Sequence, residues 1–288
     1  MGLLLHPSTP PPLYSYSIYK EFQLDMTTSP IRHLAHLTWT DIQTLDKQQG
    51  VVILPVGAIE QHGPHLPTLT DTLLVTHMLE AALPLLPDQV QAWALPPLNY
   101  GKSNEHTNFP GTMSLSAQTL TAVLHDIAAS VHRAGFRRLA FMNGHGGNTA
   151  VLEAAARDIR LATGLMCFCM QAGLYMEAPF DMTEDEKKLG FHAGELETSL
   201  VLAIDPDLVH MERAVKHFAH YPETGTRLFY FGAASTAWLA DDWSPHGVFG
   251  DATIATAEKG HALIENCAPK IAAVIEAIST FEVGGKAE

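Results

Sequence analysis

Two carboxylates and an imidazole lie close together in the first third of the chain, at Glu60, His62 and Asp71. Glu60 and His62 are two residues apart, so in an extended segment their side chains point to the same side. Glycine and proline residues between His62 and Asp71 allow the chain to turn back. This set of ligands suits zinc, manganese or iron(II). Taken singly, Asp71 is more typical of a helix N-cap, and His62 of a hydrogen-bonded loop histidine.

A second candidate lies in the glycine-rich segment 143–148, Asn-Gly-His-Gly-Gly-Asn, with His145 at its third position. The glycines leave room for close approach of a ligand or of another backbone. A glycine-rich turn before a helix can also bind phosphate, but the Gly-Lys-Ser/Thr sequence is absent here. His145 is therefore a candidate metal ligand, with a purely structural tight turn as the alternative.

A third group of polar residues, His192, Glu195 and Glu197, lies in segment 192–199. The two glutamates are two residues apart and face different directions on a helix, so at most one of them is expected to reach a metal directly. The alternative is an acidic first helical turn in solvent, which the helix dipole favours.

The elements around these segments predict an α/β fold. Continuous apolar runs at residues 51–56 and 139–142 predict buried strands directly before two of the segments. Sites in open parallel sheets form beyond the carboxyl ends of the strands. Asp71 is predicted to cap a helix, and residues 206–250 are predicted to be irregular. The other predicted elements are strands at 90–95 and 165–170, and helices at 72–85, 116–134, 149–162, 193–204 and 254–278, the last interrupted near Pro269.

The alternation of strands and helices predicts one α/β domain over residues 31–288, with helices on both faces of a mostly parallel central sheet. Residues 1–30 contain three consecutive prolines and no periodic apolar pattern, so they are expected to form a flexible N-terminal arm. Met26 is an alternative translation start to Met1.

The composition argues against several classes of function. A net charge of −14 disfavours nucleic acid as a partner, because phosphate binding needs clustered lysine and arginine. No apolar run approaches the roughly eighteen residues of a membrane span, and the N-terminus lacks the features of a secretory signal. Three cysteines are too few for a disulfide framework. We therefore expect a cytoplasmic protein that acts on a small molecule, with neither nucleic acid nor a membrane as partner.

The chain resembles the creatininase family of metal-dependent amidohydrolases in a series of ordered blocks between about residues 33 and 265. Each block is short, and the specificity of the signal comes from their number and order. The matching blocks are Pro55-Val56-Gly57, Glu60 to Pro67, Thr70-Asp71-Thr72, Tyr100-Gly101, Ser103, Glu105-His106, Phe109 to Thr112, Asn143 to Asn148, His192 to Ser199, Gly250-Asp251 and Ala255 to Gly260.

This resemblance implies a three-layer α/β/α sandwich, a site with two divalent metal ions and a homo-oligomer, often a hexamer. His192 matches an active-site histidine of the family, and Ser103 matches a serine at the substrate pocket. The residues that match the family's metal ligands, with Asp71 in the bridging place, are Glu60, His62, Asp71 and His145.

The chain departs from creatininase proper at one place. Gly146 and Gly147 stand where creatininase has a tyrosine and a glutamate, and that glutamate is a metal ligand. Another carboxylate is therefore needed for the second metal, and Glu197 is the candidate.

Together these observations predict hydrolysis of a carbon–nitrogen bond in a small amide, lactam or formamide by attack of a metal-bound water. Zinc is the expected metal, with manganese or iron as alternatives. Glu195 is expected to take the proton of the water, and His192 to donate a proton to the leaving nitrogen. Two alternatives are a metallopeptidase that trims a small peptide and a metal-binding protein without catalysis.

Overall fold

The computed structural model describes residues 32–284. The arm predicted at residues 1–30 and the choice between Met1 and Met26 lie outside the described residues, so both stay predictions. Between residues 32 and 284, every helix is too short or too polar to span a lipid bilayer.

Four parallel strands form the central sheet. Their bounds are β1 (Val51–Val56), β2 (Ala92–Ala94), β3 (Arg138–Asn143) and β4 (Met166–Gln171). The order is β2-β1-β3-β4, so β1 and β3 are adjacent and central. Val56 pairs with Asn143 at the carboxyl ends of these two strands. The segments that follow β1 and β3 therefore leave the same edge of the sheet side by side, as the sequence predicted.

Helices cover both faces of the sheet and complete the predicted three-layer sandwich. The α-helices in the described residues are α1 (Trp39–Thr44), α2 (Thr70–Ala82), α3 (Ala117–Arg133), α4 (Thr149–Thr163), α5 (Glu184–Leu189), α6 (Glu195–Ile204) and α7 (Ala257–Thr280). Val51 and Ile53 of β1 face the layer of α2 and α7, whereas Val52 and Leu54 face the layer of α3 and α4.

Residues 206–250 contain only short elements, as predicted. The strands in this segment are β5 (Lys216–His217), β6 (Leu228–Phe229) and β7 (Ala234–Ser235), and β8 (Gly250–Asp251) begins at its last residue. An aromatic cluster packs in this region and comprises Phe191, Tyr221, Phe229, Tyr230, Trp238, Trp243 and Phe249. A backbone hydrogen bond joins this cluster to the segment before α6, because the N–H of Phe249 donates to the carbonyl of His192 at 2.9 Å.

Two local predictions were wrong. Asp71 does not cap α2, because the helix begins at Thr70 and Leu69 occupies the N-cap position without a side-chain hydrogen bond. The predicted interruption near Pro269 is also absent, since α7 continues through this residue. A proline inside a helix costs about 3 kcal/mol. The flanking residues, among them Cys267 and Ile271, are buried against the core, and this packing offsets the cost.

Candidate metal centre

Four segments bring polar side chains to the carboxyl edge of the sheet. The chain after β1 carries Glu60 and His62, the turn after β3 carries His145, and the first turn of α2 carries Asp71. His192 arrives from the segment before α6. All five side chains are buried, with at most 7% of the residue surface exposed. Buried charged groups of this kind require partners, and here they are one another's partners.

Asp71 lies between two histidines. Its Oδ1 is 3.2 Å from Nε2 of His62, and its Oδ2 is 3.3 Å from Nδ1 of His145. Burial alone would raise the pKa of Asp71, but the two imidazoles outweigh it and hold this pKa well below its usual range. The carboxylate is therefore ionised and presents one oxygen to each histidine.

Glu60 is the second buried carboxylate and has two distinct oxygens. Oε2 accepts a short hydrogen bond from Oγ of Ser103 and lies 3.2 Å from Nε2 of His145. Oε1 lies 3.6 Å from Nε2 of His106 and 3.7 Å from Nδ1 of His192, without a hydrogen bond. Ser103, expected at the substrate pocket, is fully buried and contacts Glu60 directly.

The ring orientation of His62 follows from its hydrogen bond. Nδ1 lies 3.1 Å from the carbonyl of Glu60, so it carries the proton that it donates there. Nε2 then faces Asp71, and Oε2 of Glu197 lies 3.8 Å away. Burial lowers the pKa of His62, but the surrounding carboxylates have the larger, opposite effect and raise this pKa to about 10. The carboxylates around Nε2 of His62 therefore favour a positive charge at this atom.

Glu197 reaches the cluster from the first turn of α6. Its Oε2 accepts a hydrogen bond of 2.6 Å from the backbone N–H of Ala193. Ala193 adopts a φ of +53°, a left-handed conformation that costs about 1 kcal/mol or more outside glycine. Burial, opposed by the charge of His62, raises the pKa of Glu197 to about 7.

Glu195 does not join the cluster. Lys259 of α7 donates a short hydrogen bond to Oε1 of Glu195, and the backbone N–H of Glu195 donates to Glu186 at 2.9 Å. Of the two glutamates, Glu197 is the one whose carboxylate lies next to His62. The sequence analysis expected Glu195 to carry the proton of the water, but its carboxylate is paired with Lys259 of α7.

Sequence reasoning did not assign a role to Glu105 and His106, which form part of a 3-10 helix, Asn104–His106. Oε1 of Glu105 lies 3.3 Å from Nε2 of His145, and Nε2 of His106 lies 3.6 Å from Glu60. Both residues follow β2, which pairs with β1. The rule that sites lie beyond strand ends applies to β2 as well and was the available signal.

The tautomer of His106 is set by Gln61. Oε1 of Gln61 accepts from the N–H of Gly63 at 2.9 Å, so the amide nitrogen faces Nδ1 of His106 at 2.7 Å and the carbonyl of Gly247 at 3.1 Å. Nδ1 of His106 is therefore an acceptor, and Nε2 carries the proton of the neutral ring. His106 presents a donor to Glu60 rather than a lone pair for a metal.

The unpaired atoms of the cluster fit divalent cations. Oε1 of Glu60, Nε2 of His62 and Oδ2 of Asp71 are buried without a hydrogen-bond partner of good geometry. In the described part of the chain, four groups of three side chains have possible ligand atoms within 4.8 Å of one another. These groups are Glu60-His62-Asp71, Glu60-Glu105-His145, His62-His192-Glu197 and Glu60-His106-His192. Imidazole nitrogens and carboxylate oxygens are the ligands that zinc and manganese accept.

The fold and these side chains define a metal-dependent hydrolase. The sequence model of the family described as "Creatininase: Creatinine amidohydrolase" matches residues 35–275. The chain is 34% identical to creatinine amidohydrolase from Pseudomonas putida over 84% of this chain and 95% of that protein. It is 35% identical to the mycofactocin precursor peptide peptidase of Mycobacterium ulcerans (strain Agy99), over 77% of this chain and 84% of the relative.

Solved structures agree with the sequence comparison. A structure described as "Creatininase Mn" matches with a TM-score of 0.70 and 29% identity, over 87% of this chain and all of that one. A mutant creatininase of "Zn-Zn type" matches with a TM-score of 0.70 and 30% identity, over 88% of this chain and all of that one. The chain belongs to the creatininase family of metal-dependent amidohydrolases. Solved members of this family hold manganese or zinc.

Proposed function

We propose that this protein hydrolyses a carbon–nitrogen bond of a small amide, lactam or formamide with the help of two divalent metal ions, zinc in the first place and manganese or iron as alternatives. The observation that carries the proposal is the position of Asp71, whose two oxygens face His62 and His145 separately. Bound there, a pair of divalent ions supplies Lewis acidity and a nucleophile active near neutral pH.

The candidate ligands surround the two histidines that face Asp71. His62 lies at Oδ1 of Asp71 and near Glu197, and His145 lies at Oδ2 of Asp71 and near Glu60. In the metal-free protein, carboxylates hold protons on His62 and His145, because they raise the pKa values of both rings despite burial. Metal ions held by these rings would take the place of those protons.

His192 is suited to move a proton at Nδ1. Its Nε2 lies 2.9 Å from the carbonyl of Gln61 and carries the proton of the neutral ring, because a carbonyl only accepts. Nδ1 then has a free lone pair and faces Glu60. Burial, with His62 and His106 nearby, holds the pKa of His192 well below its usual value. A proton taken up at Nδ1 is therefore readily released to a leaving nitrogen.

The cover of the site supports a small substrate. The side chains of Glu105 and Glu197 are only 16% and 17% exposed, and those of the other candidate ligands less still. Trp238 lies edge-on to His106, with ring centroids 6.4 Å apart, and joins this centre to the aromatic cluster. This low exposure favours a small amide or lactam over the middle of a peptide as the substrate.

A peptidase that trims a small peptide is the second candidate. It is favoured by the 35% identity to the mycofactocin precursor peptide peptidase of Mycobacterium ulcerans. Phe231, which contacts Trp238 and is 55% exposed, would give such a peptide an apolar surface at the edge of the site.

The test is a substrate screen with controlled metal content. The full chain is stripped with a chelator, reloaded with Zn²⁺ or Mn²⁺, and assayed for release of amine or carboxylate from amides, lactams, formamides and short peptides. We expect turnover of small amides or lactams, lost with the metal and restored by it. Turnover of peptides alone would select the second candidate. Metal binding without any turnover would select the non-catalytic alternative.

We also propose that the protein works in the cytoplasm as a homo-oligomer, a hexamer by family resemblance, with one hydrolase domain that begins near residue 31. The three cysteines, Cys167, Cys169 and Cys267, are free thiols, which supports a reducing compartment. Light scattering of the purified chain gives its mass in solution, and a monomer would contradict the proposed assembly.

A further inference from the structure

The turn that contains Glu105 approaches the glycine-rich turn after β3. Oε1 of Glu105 lies 3.3 Å from Nε2 of His145, on the side of the ring that also faces Oε2 of Glu60 at 3.2 Å. Glu60, Glu105 and His145 form one of the groups whose ligand atoms lie within 4.8 Å of one another. Glu105 thus adds a carboxylate at Nε2 of His145, whereas Asp71 faces Nδ1 of the same ring.

Gly147 is the residue that makes room for this carboxylate. A Cβ atom at position 147 would overlap Oε1 of Glu105 and Nε2 of His145, and would press on the carbonyl of Lys102. Gly146, directly before it, has open space at the same point. The absence of a side chain at residue 147 is therefore a spatial requirement of the Glu105 position, whereas at residue 146 it is not.

The charge of the cluster supports a direct role for Glu105. Among the ion pairs of residues 32–284, Glu60, Asp71, Glu105 and Glu197 pair only with histidines. A histidine must be neutral to ligate a metal. Two divalent ions bring four positive charges, and the carboxylate of Glu105 adds to the negative charge that can compensate them in a buried place.

We propose that Glu105 is a direct ligand of the second metal ion, beside Glu60 and His145, and that Gly147 admits it. Glu197, the residue expected to substitute for a glutamate at position 147, instead lies near His62, which faces the other oxygen of Asp71. This inference rests on the proposed two-metal function.

A simpler role for Glu105 must be distinguished from metal ligation. In that role Glu105 only orients the ring of His145 through a hydrogen bond. Glu105→Gln separates the two. The amide oxygen of glutamine still accepts a hydrogen bond from Nε2 of His145, but a neutral amide is a much poorer metal ligand than a carboxylate. An orienting role survives this substitution, and a ligating role does not.

The experiment titrates the metal-free full chain with Mn²⁺ and counts bound ions from the free-ion signal in electron paramagnetic resonance. We expect two ions per chain in the unmodified protein. In Glu105→Gln the first should bind as before and the second should bind more than about 100-fold more weakly, beyond the range of lost outer contacts. Glu153→Gln, on the exposed face of α4, is the control and should keep both ions.

Alanine substitutions at the two adjacent glycines give a second test, which does not depend on whether Glu105→Gln folds. Gly147→Ala should weaken the second ion, because its Cβ would overlap both Oε1 of Glu105 and Nε2 of His145, whereas Gly146→Ala should not. Two tightly bound ions in Glu105→Gln, or in Gly147→Ala, would overturn the assignment of Glu105. Failure of the unmodified protein to bind Mn²⁺ at all would instead overturn the proposed function.

Discussion

Asp71 and His145 meet at the carboxyl edge of the sheet, where Oδ2 of the carboxylate lies 3.3 Å from Nδ1 of the ring. One comes from the first turn of α2 and the other from the turn after β3, so folding alone brings them together. The second oxygen of Asp71 faces His62, which gives a single carboxylate contact with both halves of the cluster.

Replacement of Asp71 should therefore affect both metal ions. Asp71→Asn keeps the shape of the side chain but removes its charge, and a neutral amide bridges two cations poorly. We expect the metal content of the purified protein, measured by elemental analysis, to fall for both ions. Asp158→Asn, at an exposed position of α4, is the control. Full metal retention in Asp71→Asn would rule out the bridging place.

The two glutamates of α6 should separate into a functional and a structural residue. Glu197→Gln should lower metal content and reduce turnover by about 10²–10⁴-fold, because its carboxylate lies in the cluster. Glu195→Gln should keep metal and turnover but destabilise the fold by about 1–3 kcal/mol, because Lys259 loses its charged partner.

Metal analysis, initial rates and urea denaturation on both variants test this assignment. Loss of turnover in Glu195→Gln with an unchanged denaturation midpoint would return the role of proton carrier to Glu195. Such a result would require that its carboxylate leaves Lys259 during the reaction.

This pair also shows how far the sequence could predict the site. The two-residue spacing predicted that at most one of the glutamates reaches a metal directly, because residues two apart on a helix diverge. Which one does so depends on where α6 begins, at Glu195, and on the left-handed turn at Ala193 that directs its N–H to Glu197. Backbone geometry of this kind is set by tertiary contacts, and the sequence carries no periodic signal for it.

The strands were easier to predict than the contacts between their loops. The apolar run at residues 51–56 has the bounds of β1, since a strand buried on both faces needs continuous apolar residues. Glu105 and His106 lie in an irregular segment about ten residues beyond β2, where no periodicity indicates which side chains turn inward. Helix α7 continues through Pro269 because packing on the core outweighs local preference.

His65 should make the stability of the metal-free protein depend on pH. The ring is fully buried, and burial together with the charge of His62 lowers the pKa of His65 to about 4. In the unfolded chain this pKa returns to about 6.5. Between these values the unfolded state binds a proton that the folded state does not, so the contribution of His65 destabilises the fold as pH falls, by at most about 1.4 kcal/mol per pH unit.

His65→Gln removes this contribution and can be compared directly with the unmodified chain. Free energies of unfolding are measured in urea between about pH 4 and pH 7, with a chelator present so that metal release does not contribute. The variant should lose less stability on acidification than the unmodified protein. Parallel curves for the two proteins would show that His65 is not the responsible group.

Trp238 should act on substrate binding rather than on the chemical step. Its ring lies edge-on to His106 and contacts Phe191 and Phe249, with centroids 5.9 and 5.8 Å away, so it forms one wall next to the polar cluster. Trp238→Ala removes that wall, and we expect KM for the best substrate of the screen to rise about tenfold, or about 1.4 kcal/mol, with kcat little changed. Trp238→Phe should retain most of the affinity. Trp39→Ala, which alters an exposed residue of α1, should leave both constants unchanged. A fall in kcat at constant KM would place the effect of Trp238 on His106 and the reacting groups instead of on the substrate.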